Sequence, residues 1–499
     1  MTVNRDTFMV RDFNYDLQMA GRQPVQWLES ERAAYDLVPT HCCFCGVQCG
    51  MNIRVSEGRV VGVEPRDFPH NRGALCPKGV VAYQQADHPE RLLYPLLRRG
   101  GKEGRLERAS WDDALDYVAE RWQRLQAEHG KDSIAVYSGS SMTNEKCYLA
   151  GKFGRVALGT RHVDYNGRLC MSAAAGAYTK AFGIDRSPLP LPDYALADCI
   201  LAIGTNLGEC FPVAMQWVWQ ARDRGATFIV VDPRETPAAR TADLWLPVRP
   251  GTDAALLNCM LRQVIHDGLV DEAYVRDRTT GWEAVKAAVE AYTPERVEPI
   301  TGVPAERLVT AARLYGRAAT SLILHARGIE HSTHGVNNCL AAINLALARG
   351  QPGRPGGGVT MLTGQGNGQG GREMGQKANQ LPGYRGISNP EDRRHVAAVW
   401  GIDEAELPGE GAAAPEIIGL MARGEVRSCL VLCSNLMVSL PDNGFVRRAL
   451  SGLEPLVVID FFMSETAELA DAVLPGTVWL EDEGTTTNLE GRVIKINKA

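Results

Sequence analysis

The chain alternates short apolar runs with helical stretches over most of its length. Each run is rich in β-branched residues and leads through glycine or a small polar loop into a helical pattern. The runs are Ser133–Tyr137, Cys199–Ile203, Thr227–Val231, Leu322–His325, Cys429–Leu432 and Leu456–Ile459. Strands that alternate with helices in this way form parallel sheets covered by helices on both faces. The pattern therefore predicts an α/β protein.

Ligands of such folds bind at the loops beyond the carboxyl ends of the strands. Here these loops are short and polar, and they span residues 138–141, 204–206, 232–235 and 434–435. We predict that they bind a ligand with the shape of a nucleotide. The alternative is that each is an ordinary turn between a strand and a helix.

The part of the chain before these repeats has a different pattern. Residues 1–40 show no sustained period, and we interpret them as an N-terminal extension. Residues 41–95 combine two β-like pieces, Met51–Val55 and Arg59–Val63, with turn signals, which is typical of a small subdomain. Ser110 precedes an apolar helical stripe and is expected to cap the helix that follows.

Length and composition narrow the function. A chain of 499 residues exceeds what one hydrophobic core usually serves, so several domains are expected. The net charge of −6 does not favour a nucleic-acid surface, and no apolar run reaches the roughly 18 residues of a membrane helix. Thirteen cysteines without a disulfide-rich pattern fit a reducing compartment. We therefore expect a cytoplasmic protein, without a membrane span or a nucleic-acid partner, that acts on a small molecule.

Four cysteines have the spacing of a metal site. Cys42, Cys45 and Cys49 follow the pattern C-x2-C-x3-C, and Cys76 stands further on, directly before a proline. Thiolate ligands select iron–sulfur clusters or zinc. Structural zinc usually uses two matched pairs of ligands, whereas here three cysteines share one loop and the fourth stands alone. We predict a [4Fe–4S] cluster, with zinc as the alternative; Cys43 does not give the two-residue gap to Cys45.

A glycine-rich stretch spans residues 350–375 and includes TGQGNGQGGREMG. Glycine lets the backbone approach a ligand closely. Flexible linkers are usually rich in serine, whereas this stretch interleaves Gln365, Asn367, Arg372 and Glu373 with its glycines. We predict a binding loop rather than a linker.

Three motifs together resemble a known family. They are the N-terminal cysteine pattern that ends in CPKG, an isolated cysteine in R-x-C-M-S at Cys170, and the loop GxxNxxGGRE. This combination is similar to that of the prokaryotic molybdopterin oxidoreductases, which contain a bis-(molybdopterin guanine dinucleotide) cofactor. The resemblance runs from about His41 to the last residue. Without it, Cys170 would be interpreted as a buried thiol.

The resemblance implies a role for each of these residues. The [4Fe–4S] ligands would be Cys42, Cys45, Cys49 and Cys76. Lys78 would relay electrons between the cluster and the pterin, and Cys170 would bind molybdenum or tungsten. The residues expected to bind the cofactor are Lys78, Asn166, Cys170, Gly204, Asn206, Asp232, Arg234, Gly364, Gln365, Asn367, Gly371, Arg372 and Glu373.

The resemblance also implies a fold of several domains. A small iron–sulfur subdomain, residues 41–95, would follow the extension at 1–40. Residues 96–150 and 326–499 would form a first, discontinuous α/β cofactor-binding domain, and residues 151–325 would form a second one inserted into it. The family's C-terminal β-barrel-like domain is expected to be absent from this sequence.

The residue after Cys170 bears on the substrate. Formate dehydrogenases of the family place a histidine there, where it takes a proton, but this chain has Met171. Cys-Met-Ser-Ala and Gly-Arg-Glu-Met-Gly instead resemble motifs of assimilatory and periplasmic nitrate reductases. We therefore predict reduction of nitrate to nitrite by oxygen-atom transfer, as part of nitrate assimilation. The residues expected to act in catalysis are Cys170, Lys78, Met171 and Arg372, with Arg372 steering the anion.

Some assignments stay open at this point. Glu373 either pairs with Arg372 or contacts the pterin, and His331 and His334 are interpreted as loop residues that line the pocket. The electron donor would be a ferredoxin-like protein or an NADH-linked flavoprotein. Two alternative functions remain, a formate dehydrogenase-like oxidoreductase and a non-catalytic iron–sulfur electron-transfer subunit.

Overall fold

The computed structural model describes residues 35–499. Within this part of the chain the strands are, in chain order, β1 (Asp36–His41), β2 (Gly50–Ser56), β3 (Arg59–Pro65), β4 (Leu96–Arg99), β5 (Arg105–Arg108), β6 (Ile134–Ser138), β7 (Val163–Tyr165), β8 (Cys199–Ile203), β9 (Thr227–Val231), β10 (Leu244–Leu246), β11 (Ser321–His325), β12 (Gly358–Met361), β13 (Gln380–Leu381), β14 (Arg385–Gly386), β15 (Ser428–Leu432), β16 (Leu456–Asp460), β17 (Ala472–Pro475), β18 (Gly484–Thr487) and β19 (Val493–Ile496).

Helices connect most of these strands. The α-helices are Pro77–Val81, Trp111–His129, Asn144–Lys152, Gly167–Cys170, Ser172–Phe182, Leu207–Cys210, Met215–Asp223, Pro237–Arg240, Asp253–His266, Glu272–Arg278, Trp282–Val289, Pro294–Thr301, Ala305–Arg317, Arg327–Glu330, Gly335–Ala348, Gly368–Glu373, Pro390–Trp400, Ala414–Ala422, Leu436–Ser439 and Asn443–Ser451. Ser110 caps the first long helix as predicted, since its Oγ accepts a hydrogen bond from the Asp113 N–H at 3.0 Å. Among the described residues no helix is both long enough and apolar enough to cross a membrane.

Two large sheets confirm the predicted α/β class. One has five parallel strands in the order β10-β9-β8-β11-β12. The other has seven strands in the order β5-β4-β17-β16-β15-β6-β7, in which β17 to β7 are parallel and β4 and β5 form an antiparallel edge. The six apolar runs of the sequence all form strands of these two sheets.

The chain passes from one large sheet to the other at positions that differ from the predicted domain boundaries. β7 pairs with β6 in the seven-stranded sheet, although residue 151 was the predicted start of the inserted domain. β12 pairs with β11 in the five-stranded sheet, although residue 325 was its predicted end. The insertion therefore begins after β7 and ends after β12 when sheet membership defines it. The division into domains is otherwise still a prediction.

A small antiparallel sheet, β1-β2-β3, holds the cysteine loop. β1 pairs with β2 from Asp36 onward, so this subdomain begins before the predicted residue 41. Residues 1–34 of the predicted extension lie outside the described residues.

The central strands of each large sheet are buried on both faces because most of their side chains are apolar. Along β8, Cys199, Leu201 and Ile203 pack into one hydrophobic cluster, while Ile200 and Ala202 pack into another on the opposite face. The first cluster includes the helices Asp253–His266, Ala305–Arg317 and Gly335–Ala348. Full burial of one such aliphatic side chain stabilises the fold by about 1.5–3 kcal/mol. The sheets thus provide rigid supports whose polar loops are left to bind ligands.

Candidate active site

The four predicted cluster ligands surround one small cavity. Cys42, Cys45, Cys49 and Cys76 line it together with apolar side chains and Lys78. The loop is closed by a hydrogen bond from the Cys42 N–H to the Cys49 carbonyl at 2.9 Å. Burial, together with the neighbouring thiols, raises the pKa of Cys42 and Cys49 well above that of an ordinary thiol. A positive metal centre is therefore needed to hold these groups as thiolates.

The spacing of these thiols distinguishes a cluster from zinc. Four sulfur ligands at about 2.3 Å from one zinc ion would lie roughly 3.8 Å from each other. Within residues 35–499, no three of the four cysteines bring their sulfur atoms within 4.8 Å of one another. The thiols are spread too widely for a single ion, and they fit the larger body of a [4Fe–4S] cluster.

The cysteine loop packs directly on the glycine-rich loop. The Gly46 N–H donates to the Gly364 carbonyl at 2.8 Å, and Cys45 and Gln365 form an antiparallel bridge. A Cβ at Gly46 would lie 2.2 Å from the Thr363 carbonyl oxygen, and one at Gly366 would lie 2.1 Å from the Cys43 carbonyl oxygen. These two glycines are needed because two stretches of backbone meet here.

A second cavity, of about 560 Å³, opens at the carboxyl ends of β8, β9 and β11. The predicted residues that line it are Lys78, Gly204, Asn206, Asp232 and Gly364. The Thr205 hydroxyl and the Asn206 side-chain carbonyl are buried without a hydrogen-bond partner among the described residues. A polar ligand in this cavity would satisfy them, and parallel sheets bind nucleotides at this edge.

Lys78 lines both cavities. It follows Cys76 at the start of the Pro77–Val81 helix and contributes to the wall of the cysteine cavity as well as that of the larger cavity. Phe44 and Cys45 are also shared by the two walls. This position agrees with the relay role of Lys78, which is still a prediction.

Cys170 ends the Gly167–Cys170 helical turn beside the larger cavity. Its half-buried Sγ lies 3.6 Å from Arg327 Nη1, and a Cβ at Gly364 would lie 4.0 Å from it. His331 Nε2 lies 3.1 Å from the Cys170 carbonyl oxygen. The structure thus brings Cys170 to the glycine-rich loop, and its role as a metal ligand is still a prediction.

Arg327 and Glu330 are site residues that the sequence predictions did not include. Arg327 lines the larger cavity, and its Nε donates to Glu330 at 2.7 Å. Burial would raise the pKa of Glu330, but the hydrogen bond from His325 and the charge of Arg327 outweigh burial and lower it. A sequence signal for this pair exists, because Arg-Gly-Ile-Glu places the two charges three residues apart directly after β11.

Comparison with known proteins identifies the family. Residues 35–88 match the molybdopterin oxidoreductase Fe4S4 domain, and residues 91–499 match the molybdopterin oxidoreductase domain. The chain belongs to the molybdopterin oxidoreductase family. Its cofactors are accordingly a [4Fe–4S] cluster and a molybdenum or tungsten bis-(molybdopterin guanine dinucleotide).

Relatives in this family differ in what they act on. The chain is 42% identical to the assimilatory nitrate reductase catalytic subunit of Bacillus subtilis, over 95% of this chain and 66% of that protein. It is 39% identical to the F420-dependent formate dehydrogenase 1 subunit alpha of Methanococcus maripaludis, over 93% of this chain and 67% of that protein. Among solved structures, acetylene hydratase from Pelobacter acetylenicus matches with a TM-score of 0.75 at 26% identity, over 92% of this chain and 66% of that one. The chain spans about two thirds of the length of these relatives.

The place of Met171 differs from the prediction. A molybdopterin oxidoreductase residue that acts on substrate must reach the cavity, but the Met171 side chain is buried at 1% exposure in the hydrophobic cluster of the five-stranded sheet. It packs with Ala174 and Ala177 because the Ser172–Phe182 helix turns this side inward. Met171 is thus a core residue in this structure, and its position does not support the predicted part in catalysis.

Arg372 is also placed differently from its predicted role in anion steering. Its side chain is fully buried, with Nε 2.7 Å from Asp185 Oδ2, and Nη1 donates to the Gly368 carbonyl at 2.9 Å. Nη2 donates to Gln369 Oε1. Burial opposes the charge, but Asp185 and nearby groups outweigh it and raise the pKa of Arg372. The guanidinium charge of Arg372 is thus paired with the buried carboxylate of Asp185.

Glu373 does not pair with Arg372. It accepts a hydrogen bond from Arg186, and Thr487 Oγ1 donates to its other oxygen at 3.3 Å. The two neighbouring charges of the glycine-rich loop therefore have separate partners, since consecutive residues of a helix point in directions about 100° apart.

The remaining predicted cofactor residues hold the glycine-rich loop in place. Gln365 Oε1 accepts from Asn166 Nδ2 at 2.7 Å, and Asn367 Nδ2 donates to the Met142 carbonyl at 2.6 Å. Gly371 is buried inside the Gly368–Glu373 helix. Arg234 does not line the cavity, and its side chain is 72% exposed.

A third cavity, of about 990 Å³, lies at the carboxyl end of the seven-stranded sheet. Ser141, Ser434 and Asn435 of the predicted binding loops lie at its edge, but most of its wall is apolar. None of the predicted cofactor-binding residues lines it.

Proposed function

We propose that this protein is a molybdenum-dependent nitrate reductase that works in the cytoplasm in nitrate assimilation. The observation that supports it most is the 42% identity to an assimilatory nitrate reductase over nearly the whole chain. The absence of a proton-accepting side chain after Cys170 agrees with it. A ferredoxin-like protein or an NADH-linked flavoprotein would supply electrons through the cluster.

The cofactor, when bound, supplies the two-electron chemistry. The chain's own residues hold and surround it. Cys170 provides the protein thiolate, Lys78 lies between the cluster cavity and the larger cavity, and Arg327 gives the Cys170 end of that cavity a positive charge. The carboxylates of the cavity wall are Glu209 in the Leu207–Cys210 helix, Asp232 after β9, and Asp253 at the start of the Asp253–His266 helix.

This arrangement suits reduction of an anion that carries no proton. Nitrate, two electrons and two protons give nitrite and water, so no base has to act on the substrate. Met171 offers no base in any case, because its side chain lies in the core.

Oxidation of formate is the second candidate, and one observation favours it. His331 is an exposed imidazole whose Nε2 lies 3.1 Å from the Cys170 carbonyl oxygen, and it is the candidate group that would take the proton of formate. The formate dehydrogenase relative at 39% identity agrees with this candidate.

Turnover assays on the purified protein with its cofactors distinguish the two. We expect nitrate to oxidise reduced viologen, and formate to leave oxidised viologen unchanged. A His331→Gln variant should keep nitrate reduction. Turnover with formate alone, abolished by His331→Gln, would contradict the proposal.

Metal analysis tests the enzyme assignment itself. We expect about four iron atoms and one molybdenum or tungsten per chain. Cys170→Ser should lower nitrate reduction to background while the iron content stays the same. Iron without molybdenum or tungsten would instead indicate a non-catalytic electron-transfer subunit.

A further inference from the structure

We propose that Arg327 binds the substrate anion beside Cys170. A buried chain of hydrogen bonds, formed by Glu330, His325 and Tyr178, holds its guanidinium in position. The inference rests on the proposed function for the identity of the anion, which is nitrate.

Arg327 combines access to the cavity with contact to the metal-binding thiol. It follows the carboxyl end of β11, lines the larger cavity, and places Nη1 3.6 Å from Cys170 Sγ. Its side chain is 22% exposed, whereas that of Arg372 is fully buried. The other cation of the cavity wall, Lys78, lies toward the cysteine cavity. Arg327 is therefore the guanidinium that an anion meets at Cys170.

A buried carboxylate fixes the orientation of this guanidinium. Its Nε donates to Glu330 Oε2 at 2.7 Å, and Glu330 is fully buried. Because the carboxylate holds the Nε side, Nη1 is the group that faces Cys170. Nη2 also lies 2.5 Å from Glu330 Oε2, so the guanidinium presents Nη1 toward Cys170. A charged N–H donor of this kind binds an oxygen of nitrate or of a carboxylate.

Glu330 is itself held by a histidine and a tyrosine. Its Oε1 lies 2.9 Å from His325 Nδ1, and His325 Nε2 lies 3.0 Å from the Tyr178 hydroxyl. A carboxylate only accepts, so Nδ1 donates, and a neutral imidazole then accepts the tyrosine proton at Nε2. Both side chains are fully buried. A fully satisfied buried chain of this kind allows one arrangement of the carboxylate.

A metal site is the competing interpretation of this cluster. The ligand atoms of His325, Glu330 and Cys339 lie within 4.8 Å of one another. Both nitrogens of His325 and both oxygens of Glu330 already have hydrogen-bond partners, however. We therefore assign His325 and Glu330 to positioning Arg327.

The charges are arranged so that the pair attracts an anion. The negative end, Glu330, is buried behind the guanidinium, and the positive end faces the cavity. An approaching anion meets the positive end first. Loss of one charge-assisted hydrogen bond at such a site weakens binding by about tenfold or more.

The test compares KM and kcat of the complete protein with its cofactors. Arg327→Gln should raise KM for nitrate about tenfold or more, with a smaller change in kcat per bound molybdenum. Arg327→Lys should restore part of this loss. Glu330→Gln should raise KM in the same direction, since it frees the guanidinium. The matched control is Arg313→Gln, which breaks a surface pair with Asp267 and should leave KM unchanged.

A spectroscopic measurement separates positioning from folding. Because Arg327 contacts Cys170 Sγ, Arg327→Gln should shift the Mo(V) EPR signal, while the signal of the reduced [4Fe–4S] cluster stays the same. Glu330→Gln should produce a smaller shift in the Mo(V) signal, and Arg313→Gln none.

Each result either supports or overturns the proposal. A KM within twofold of the original protein in Arg327→Gln, with an unchanged Mo(V) signal, would overturn it. If Arg327→Gln loses molybdenum, the KM and the Mo(V) signal of Arg327→Lys and Glu330→Gln are used instead. A KM within twofold of the original protein with an unchanged Mo(V) signal in both variants would then overturn the proposal. If the protein turns over formate instead of nitrate, the same variants are compared for formate. A raised KM for formate would then support Arg327 while refuting nitrate as the substrate.

Discussion

Asp185 is shared by two buried cations of the glycine-rich region. Arg372 Nε lies 2.7 Å from its carboxylate and Lys377 Nζ lies 3.6 Å from it. Burial lowers the pKa of Lys377 to about 8, although Asp185 acts in the opposite direction. The unfolded chain would titrate this lysine near 10.5, so above pH 8 the unfolded state binds more protons than the folded one.

This difference predicts how stability depends on pH. Between about pH 7.5 and about pH 9.5 the free energy of unfolding should rise by about 2 kcal/mol through Lys377 alone. Lys377→Met should abolish this rise, which is measured by chemical denaturation at both pH values. Lys286→Met, on the exposed side of another helix, serves as the control. Parallel pH curves for the original protein and Lys377→Met would contradict the prediction.

The spacing of residues in the sequence predicted the site residues that a loop or a helical turn places. It did not predict the direction of side chains that is set by the packing of helices. The cysteines and Lys78 lie together because a short loop and a helical turn position them. Met171 and Arg372 belong to correct motifs, but the packing of their helices turns both side chains inward. The spacing of Arg327 and Glu330 indicates a charge pair, but it does not indicate that this pair lies beside Cys170, so Arg327 was missed.

At the scale of elements, the cysteine loop and the glycine-rich loop are in close backbone contact. Gly366→Ala would place a methyl group 2.1 Å from the Cys43 carbonyl oxygen, so one of the two loops must move. We expect a loss of stability of at least about 2 kcal/mol and a lower iron content. Both are measured on purified protein, by denaturation and by metal analysis.

Gly409→Ala is the matched control for this prediction. A Cβ at Gly409 meets no atom within 4 Å, so stability and iron content should stay unchanged. Equal iron content in both variants would show that the two loops can separate without loss of the cluster.

Long apolar runs were predicted well, and short strands were not. β8 and β9 have the predicted bounds because they are continuous apolar segments flanked by turns. β7 has three residues and β12 begins with a glycine, so neither has a pattern that separates it from a loop. The predicted domain boundaries missed the exchange between sheets for this reason.

At the scale of the whole molecule, Lys78 connects the cluster subdomain with the cavity of the five-stranded sheet. Lys78→Gln should lower viologen-linked turnover at least about tenfold, a change of about 1.4 kcal/mol in the barrier. The iron and molybdenum contents should stay the same. Stopped-flow reoxidation of the reduced cluster by substrate measures the step directly.

Lys286→Gln, an exposed lysine remote from both cavities, should reoxidise at the original rate. If Lys78→Gln also does so, electrons pass from the cluster to the cavity without this side chain.

The bridge between Cys45 and Gln365 also has a consequence for how the protein matures and fails. Destruction of the iron–sulfur cluster by oxygen would release the cysteine loop, which contacts one side of the glycine-rich loop. Loss of the cluster would therefore weaken the binding of the pterin cofactor. During maturation the cluster should therefore be assembled first, and the pterin should be retained only afterwards. A cell short of iron would then also lose the molybdenum or tungsten of this protein, even when that metal is plentiful.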